Sequence, residues 1–155
     1  MTGNTKQFEI IQLTLEHKPD ILALIATDNL RSEDILAEGT RYWGAFSRGN
    51  LVGVIGCEYA GGYGLLRSAL VAHACRGQGI AAQLTQTLIH AARKMGLTAV
   101  YLFSTDAGDY WRRQGFVDAP VDEVVSRMPN AYQVMLFNRL GWLPTEVAFR
   151  YDLTV

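Results

Sequence analysis

Branched and aromatic residues alternate roughly over Phe8 to Leu15, with Phe8, Ile10 and Gln12 set against Ile11, Leu13 and Leu15, which predicts a first β-strand. Pro19 at an early helical position, followed by Ile21, Leu22, Leu24 and Ile25, predicts an amphipathic helix ending near Asp28 or Asn29. Arg31 to Gly39 offers a second, shorter helix. Thr40 to Ser47 and Leu51 to Tyr59 are strand-like runs joined by Arg48-Gly49-Asn50, where glycine and asparagine tolerate the positive φ of a tight hairpin. After Gly61-Gly62 a third run, Tyr63 to Ala72, completes an antiparallel meander.

Ile80, Leu84, Leu88, Ala91 and Met95 then recur at helical spacing, with Arg93 and Lys94 at the negative end of the helix dipole and Gly96 as the stop. Ala99 to Phe103 is a short apolar strand, so Tyr63 to Phe103 reads as strand, helix and parallel strand. Ala107 to Gln114 forms a short helix closed by Gly115, Val121 to Leu140 is helical in parts, and Glu146 to Leu153 alternates as a last strand. The pattern is that of an α/β chain with a mixed sheet.

Composition narrows the function. The 155 residues carry a net charge of −1 and are 49% hydrophobic and 19% charged, a balance that fits a single domain over residues 1–155 and excludes a disordered chain, a collagen-like repeat and a supercharged nucleic-acid binder. Cys57 and Cys75 are too few for a disulfide framework, and His17, His73 and His90 lack metal-ligand spacing, so no metal is expected. Met1 to Gln7 does not resemble a signal peptide, and no apolar stretch approaches the ~20 residues of a membrane span. A cytoplasmic protein acting on a small molecule, with neither nucleic acid nor membrane as partner, is the expectation.

The chemistry centres on Arg76-Gly77-Gln78-Gly79-Ile80-Ala81, between strand and helix. Small residues there expose backbone N–H groups at the positive end of a helix, which suits a phosphate. Gly77, Gly79 and Ala82 also satisfy the loose dinucleotide pattern G-x-G-x-x-A. Against that reading, the meander precedes the glycines, few residues remain after Phe103 for further βα units, and Asp106 lies too far along to be a ribose-binding acid. A tight turn with no ligand is the remaining alternative.

Arg76 to Ala81 resembles the signature of the GNAT (GCN5-related N-acetyltransferase) family: Gln or Arg, two residues, Gly, one residue, then Gly or Ala. The resemblance extends to the meander, to Leu70-Val71 leading into the loop, and to Tyr110-Trp111-Arg112-Arg113-Gln114-Gly115-Phe116 in the place of the family's second motif. It implies the GNAT fold, a central mixed β-sheet flanked by helices, and acetyl-CoA as cosubstrate. The pyrophosphate would lie on the amides of Gly77 to Ala81, with Arg76, Gln78 and Ile80 in the same loop. The pantetheine arm would pair with the backbone of Leu70 and Val71, whose strand splays from the next one, and Trp111 would cover it. Leu65-Leu66-Arg67-Ser68 and Ser104-Thr105-Asp106-Ala107 look like the arsenic-resistance N-acetyltransferases and, more distantly, amino-acid N-acetyltransferases. Homodimers are frequent in the family.

In this family a neutral amine attacks the thioester directly, and orientation supplies much of the rate. A backbone N–H near Val71 is the oxyanion donor the resemblance implies. The family's tyrosine acid falls at Trp111 here, which leaves Tyr110 as the candidate acid, with Thr105 or water as substitutes. The glutamate that relatives place four residues before the Val71 position is replaced by Arg67, so Glu58 on the adjacent strand is the candidate base, or a salt-bridge partner of Arg67. Arg67 itself suits the carboxylate of an acceptor. The leading expectation is therefore acetylation of a primary amine on an amino acid or amino-acid-like small molecule. Protein acetylation at a lysine or N-terminus, and a non-catalytic acyl-CoA sensor, are the alternatives.

Overall fold

The computed structural model describes residues 7–28, 30 and 33–154. Strands β1 (Glu9–Gln12), β2 (Thr40–Ser47), β3 (Asn50–Ala60), β4 (Tyr63–Val71), β5 (Ala99–Phe103), β6 (Val117–Ala119) and β7 (Ala148–Asp152) form one mixed sheet in the order β1-β2-β3-β4-β5-β7-β6. The α-helices are α1 (Lys18–Ala26), α2 (Ile80–Lys94), α3 (Gly108–Arg113), α4 (Val121–Arg127) and α5 (Tyr132–Leu140). By contact the chain divides into two compact units, Met1–Gly56 with Ser68–Leu88, and Cys57–Arg67 with Ile89–Val155.

In the first unit β1 lies antiparallel to β2, in register from Glu9↔Phe46 to Gln12↔Trp43. Pro19 stands in the first turn of α1, where a missing N–H removes no helical bond. The helix turns Ile21, Leu24 and Ile25 inward, onto a core with Leu13, Ile35, Tyr42, Val54 and Leu70. It ends at Ala26, short of the expected limit, and Asn29 falls outside the described residues. The β2–β3 turn is one residue tighter than expected: Arg48 (φ 52) and Gly49 (φ 81) make it, and Asn50 already belongs to β3. Gly53 of β3 lets α2 approach closely, since a Cβ there would stand 2.9 Å from Ile80 Cγ2.

The second helix expected over Arg31 to Gly39 is not found. Arg31 and Ser32 lie outside the described residues, and 33–36 and 38–39 are turns. Leu36 (φ 59) and Gly39 (φ 83) take left-handed conformations that no α-helix accommodates.

In the second unit β4 runs parallel to β5, with Tyr63↔Ala99, Gly64↔Val100 and Leu65↔Tyr101 in register, as the strand-helix-strand reading requires. The last strand, β7, pairs antiparallel with β5 from Ala99↔Asp152 to Phe103↔Ala148. On its other side it pairs with β6, a three-residue strand the hydrophobic pattern did not reveal. The helical region after Val121 divides into α4 and α5, which bury Val124, Met128 and Val134 against Leu65, Ala99, Tyr101 and Ala148. Gly141 (φ 75) closes α5 in the left-handed conformation usual for a helix stop.

Candidate active site

The glycine loop belongs to the first unit. Past the end of β4, Ala72 N donates to Val52 O at 2.7 Å, and one 3-10 turn (His73–Cys75) leads to Arg76. Arg76 Nε donates to Val71 O at 3.0 Å, so this side chain holds the strand end in place. Gly77 (φ 85) and Gly79 (φ 81) are both left-handed and exposed, and a Cβ built on either meets no atom within 4 Å. Gly79 O accepts the Gln83 N–H at 3.1 Å, which starts the helical ladder of α2. The N–H groups of the first helical turn have no partner within the helix. Ile80, only 2% exposed, pins that turn to the sheet beneath it. A helix N-terminus preceded by exposed glycines, with no side chain over the loop backbone, fits a phosphate. Beside the loop opens a cavity of about 510 Å³, whose lining includes Arg48, Asn50, Cys75, Gln78 and Ile80.

Upstream of the loop, Leu70 and Val71 are buried, and Leu70 packs into the core of the first unit. Two residues earlier Ser68 has φ 55, a left-handed conformation inside a strand. Such a residue re-aims the backbone N–H and C=O groups that follow it.

Arg67 and Glu58, both in the second unit, are 6% and 3% exposed. Arg67 Nη1 donates to Glu58 Oε2 at 3.1 Å, the ion pair that the spacing of β3 and β4 allows. The same carboxylate accepts two backbone N–H groups from the first turn of α5: Tyr132 N on Oε1 at 2.5 Å and Gln133 N on Oε2 at 3.0 Å.

The second motif forms α3. Ser104 Oγ accepts the Ala107 N–H at 3.2 Å just before the helix, whereas Thr105 is exposed. Trp111 is 8% exposed and meets the rings of Tyr110 and Phe116 edge-on, at 5.0 and 5.5 Å between centroids. Tyr110 is half-buried with its hydroxyl inside the protein. Arg112 fixes the helix to β6 by donating to both Asp118 oxygens, at 2.8 and 3.0 Å, and this hydrogen bonding holds the Asp118 carboxyl below its usual range.

The acetyltransferase (GNAT) family model matches residues 9–116. This chain belongs to that family. Residues 117–155, with β6, α4, α5 and β7, lie beyond the matched part. Solved structures share the fold. N-acetylglutamate synthase from Neisseria gonorrhoeae, complexed with coenzyme A and N-acetyl-glutamate, superposes with a TM-score of 0.79 at 20% identity, over 98% of this chain and 36% of that one. The GNAT chain described here therefore spans about a third of that synthase's length. Rv2747 from Mycobacterium tuberculosis, in complex with CoA, gives 0.74 at 21% identity, covering 94% of this chain and 99% of that one. The ribosomal-protein-S18-alanine N-acetyltransferase from Escherichia coli gives 0.71 at 13% identity, covering 96% and 95%. A search of curated protein sequences finds no match. Among the described residues, no helix of this GNAT chain is long and apolar enough to cross a membrane.

One polar cluster was not anticipated. The Tyr101 hydroxyl donates to Glu123 and accepts from Arg127 Nη1 at 2.6 Å, and Arg150 Nη1 donates to Glu123 at 3.0 and 3.2 Å. Burial, then the Glu123 hydrogen bond, pushes the Tyr101 hydroxyl up to about 12. The Tyr101 hydrogen bond, then Arg150 and Arg127, draws the Glu123 carboxyl down. The network ties α4 to β5 and β7. Its hydrogen bonds join residues 22 to 27 apart in sequence, and of its contacts the Glu123–Arg127 ion pair at 3.5 Å, four residues apart on α4, is the local one.

Proposed function

We propose that this GNAT chain transfers the acetyl group of acetyl-CoA to the primary amine of a small acceptor, an amino acid or amino-acid-like compound, by direct attack in a ternary complex. The observation that carries the acceptor class is the buried guanidinium of Arg67, at a position where the family resemblance implies an acid. A guanidinium repels a protonated amine and forks onto a carboxylate, so the acceptor carries both groups and docks by the latter. Glu58 offsets one charge, but its carboxylate is shared with two α5 amides, and the surroundings remain rich in donors.

Acetyl-CoA supplies an activated thioester. Support for its place comes from Gly77 and Gly79, whose open left-handed backbone lets the amides up to Ala81 approach a pyrophosphate. Arg76 fixes the carbonyl of Val71, which leaves Leu70 and Val71 oriented to pair with the pantetheine arm, and an N–H following the Ser68 conformation serves as oxyanion donor. Tyr110 is assigned proton donation to the leaving thiolate, whose reference pKa of about 8.5 demands little of an acid. Trp111 covers the arm, and Thr105, on the exposed rim before α3, contacts the acceptor.

Thiol release measured over a panel tests the reading: free amino acids, their carboxamides, a simple amine and a lysine-bearing peptide. Amino acids should exceed the carboxamides by tenfold or more in kcat/KM. Preference for the peptide would favour protein acetylation, and tight acetyl-CoA binding with no thiol release would favour the sensor reading.

A further inference from the structure

We propose that Glu58 is a positioning residue, whose single buried carboxylate ties the acceptor-side cation Arg67 to the first turn of α5 so that the aim of the guanidinium and the seat of the helix are set together. The proposal rests on the reading that Arg67 receives the acceptor's carboxylate.

Three donors from two elements converge on Glu58: Arg67 Nη1 of β4, and the backbone N–H groups of Tyr132 and Gln133. Nothing local does this work for α5. Its N-cap residue, Ala131, has no capping side chain, and its first turn holds no acidic residue. Helix N-termini need acceptors and favour negative charge, and Glu58, 74 residues upstream of Tyr132, supplies both. The Glu58 backbone carbonyl in turn accepts a hydrogen bond from Cys57 Sγ at 3.3 Å. Protonating Glu58 would neutralise the charge that holds the buried Arg67 guanidinium and would weaken the charge-assisted bonds from the α5 amides. The geometry points to a fixed acceptor of hydrogen bonds, acting on the acetyl acceptor through Arg67 and α5.

Glu58→Gln tests this, because it keeps the side-chain volume while turning one oxygen into a donor that faces other donors. Hydrogen exchange at the Tyr132 and Gln133 amides should accelerate tenfold or more, with α2 amides unmoved. The KM for the acceptor should rise at least tenfold, and the acid limb of the kcat profile should keep its midpoint. Loss of that acid limb with unchanged α5 exchange would overturn the proposal and make Glu58 the general base. Should the single variant fail to fold once the Glu58 charge beside Arg67 is gone, Glu58→Gln with Arg67→Gln removes both charges, and the α5 exchange is read in that protein. If the unaltered chain turns over no amine, the functional reading fails, while the exchange arm still decides whether Glu58 anchors α5.

Discussion

Replacing Gly79 by alanine places a methyl group where no protein atom lies within 4 Å, so the fold feels the change through the backbone alone. At φ 81 an L-residue sits in the left-handed region, at a cost of about 1–2 kcal/mol. For a chain of this size each kcal/mol corresponds to about 2–4 °C in Tm, so a fall of roughly 2–8 °C is expected. Gly96 provides the matched comparison: it has φ 76, also meets nothing within 4 Å, and lies past the opposite end of α2. Gly96→Ala should lose a similar amount of stability. The two variants part company at the ligand, because the new Cβ at position 79 stands where a phosphate must come to reach the loop amides. Losing one charge-assisted hydrogen bond costs about 1.5–3 kcal/mol, a loss of roughly 10- to 150-fold in acetyl-CoA affinity. Thermal unfolding and titration calorimetry on both proteins check the two halves of this reasoning. Equal acetyl-CoA affinity in the two folded variants would refute the phosphate cradle.

Arg67→Ala should raise the acceptor KM far more than that of acetyl-CoA, and should destabilise the fold by about 3 kcal/mol because Glu58 stays buried without its guanidinium partner; both are read from steady-state kinetics and denaturant unfolding. Tyr110→Phe keeps the ring packed on Trp111 but removes the hydroxyl, so turnover should fall about 100-fold at constant acetyl-CoA affinity; full activity would move the proton to Thr105 or water. Tyr101, raised from 10.0 to about 12 by burial and then by Glu123, favours the folded state in its neutral form. That preference is fully present below pH 10 and is lost as pH rises through about 12. Urea unfolding at pH 9 and 11.5 should show that loss in the parent and a shallower one in Tyr101→Phe, and identical slopes would contradict the assignment.

What the sequence reveals and what it conceals have physical reasons. Ala99 to Phe103 reads to the residue because a strand covered on both faces leaves a continuous apolar run. The glycine loop is legible because its chemistry is local, six consecutive residues whose smallness is itself the signal. β6 is hidden because Val117 and Asp118 are exposed and their strand exists by pairing with β7, which no periodicity records. The false helix over 31–39 arises because composition does not reveal that Leu36 turns left-handed. Glu58 and Arg67 can be placed together from strand spacing, but the other half of that site cannot. It consists of two backbone amides, which any residue type but proline at 132 and 133 would have offered.

The pairing of β6 with β7 has an architectural consequence. Ala119 and Ala148 are direct partners across the antiparallel ladder, so everything from 120 to 147 departs from and returns to neighbouring points on the sheet. Loop-closure entropy grows slowly with length, so such an excursion can lengthen, shorten or be exchanged while the ladder that bounds it stays in register. Residues 120–147 thus have the topology of an interchangeable cassette carrying α4 and α5, held to the scaffold by its apolar underside, by the Tyr101–Glu123 contact and by the clasp at Glu58. A graft from another chain would need to reproduce three fittings: small residues at the exit and re-entry, an apolar stripe matching Val124, Met128 and Val134, and an uncapped helix start presented to Glu58.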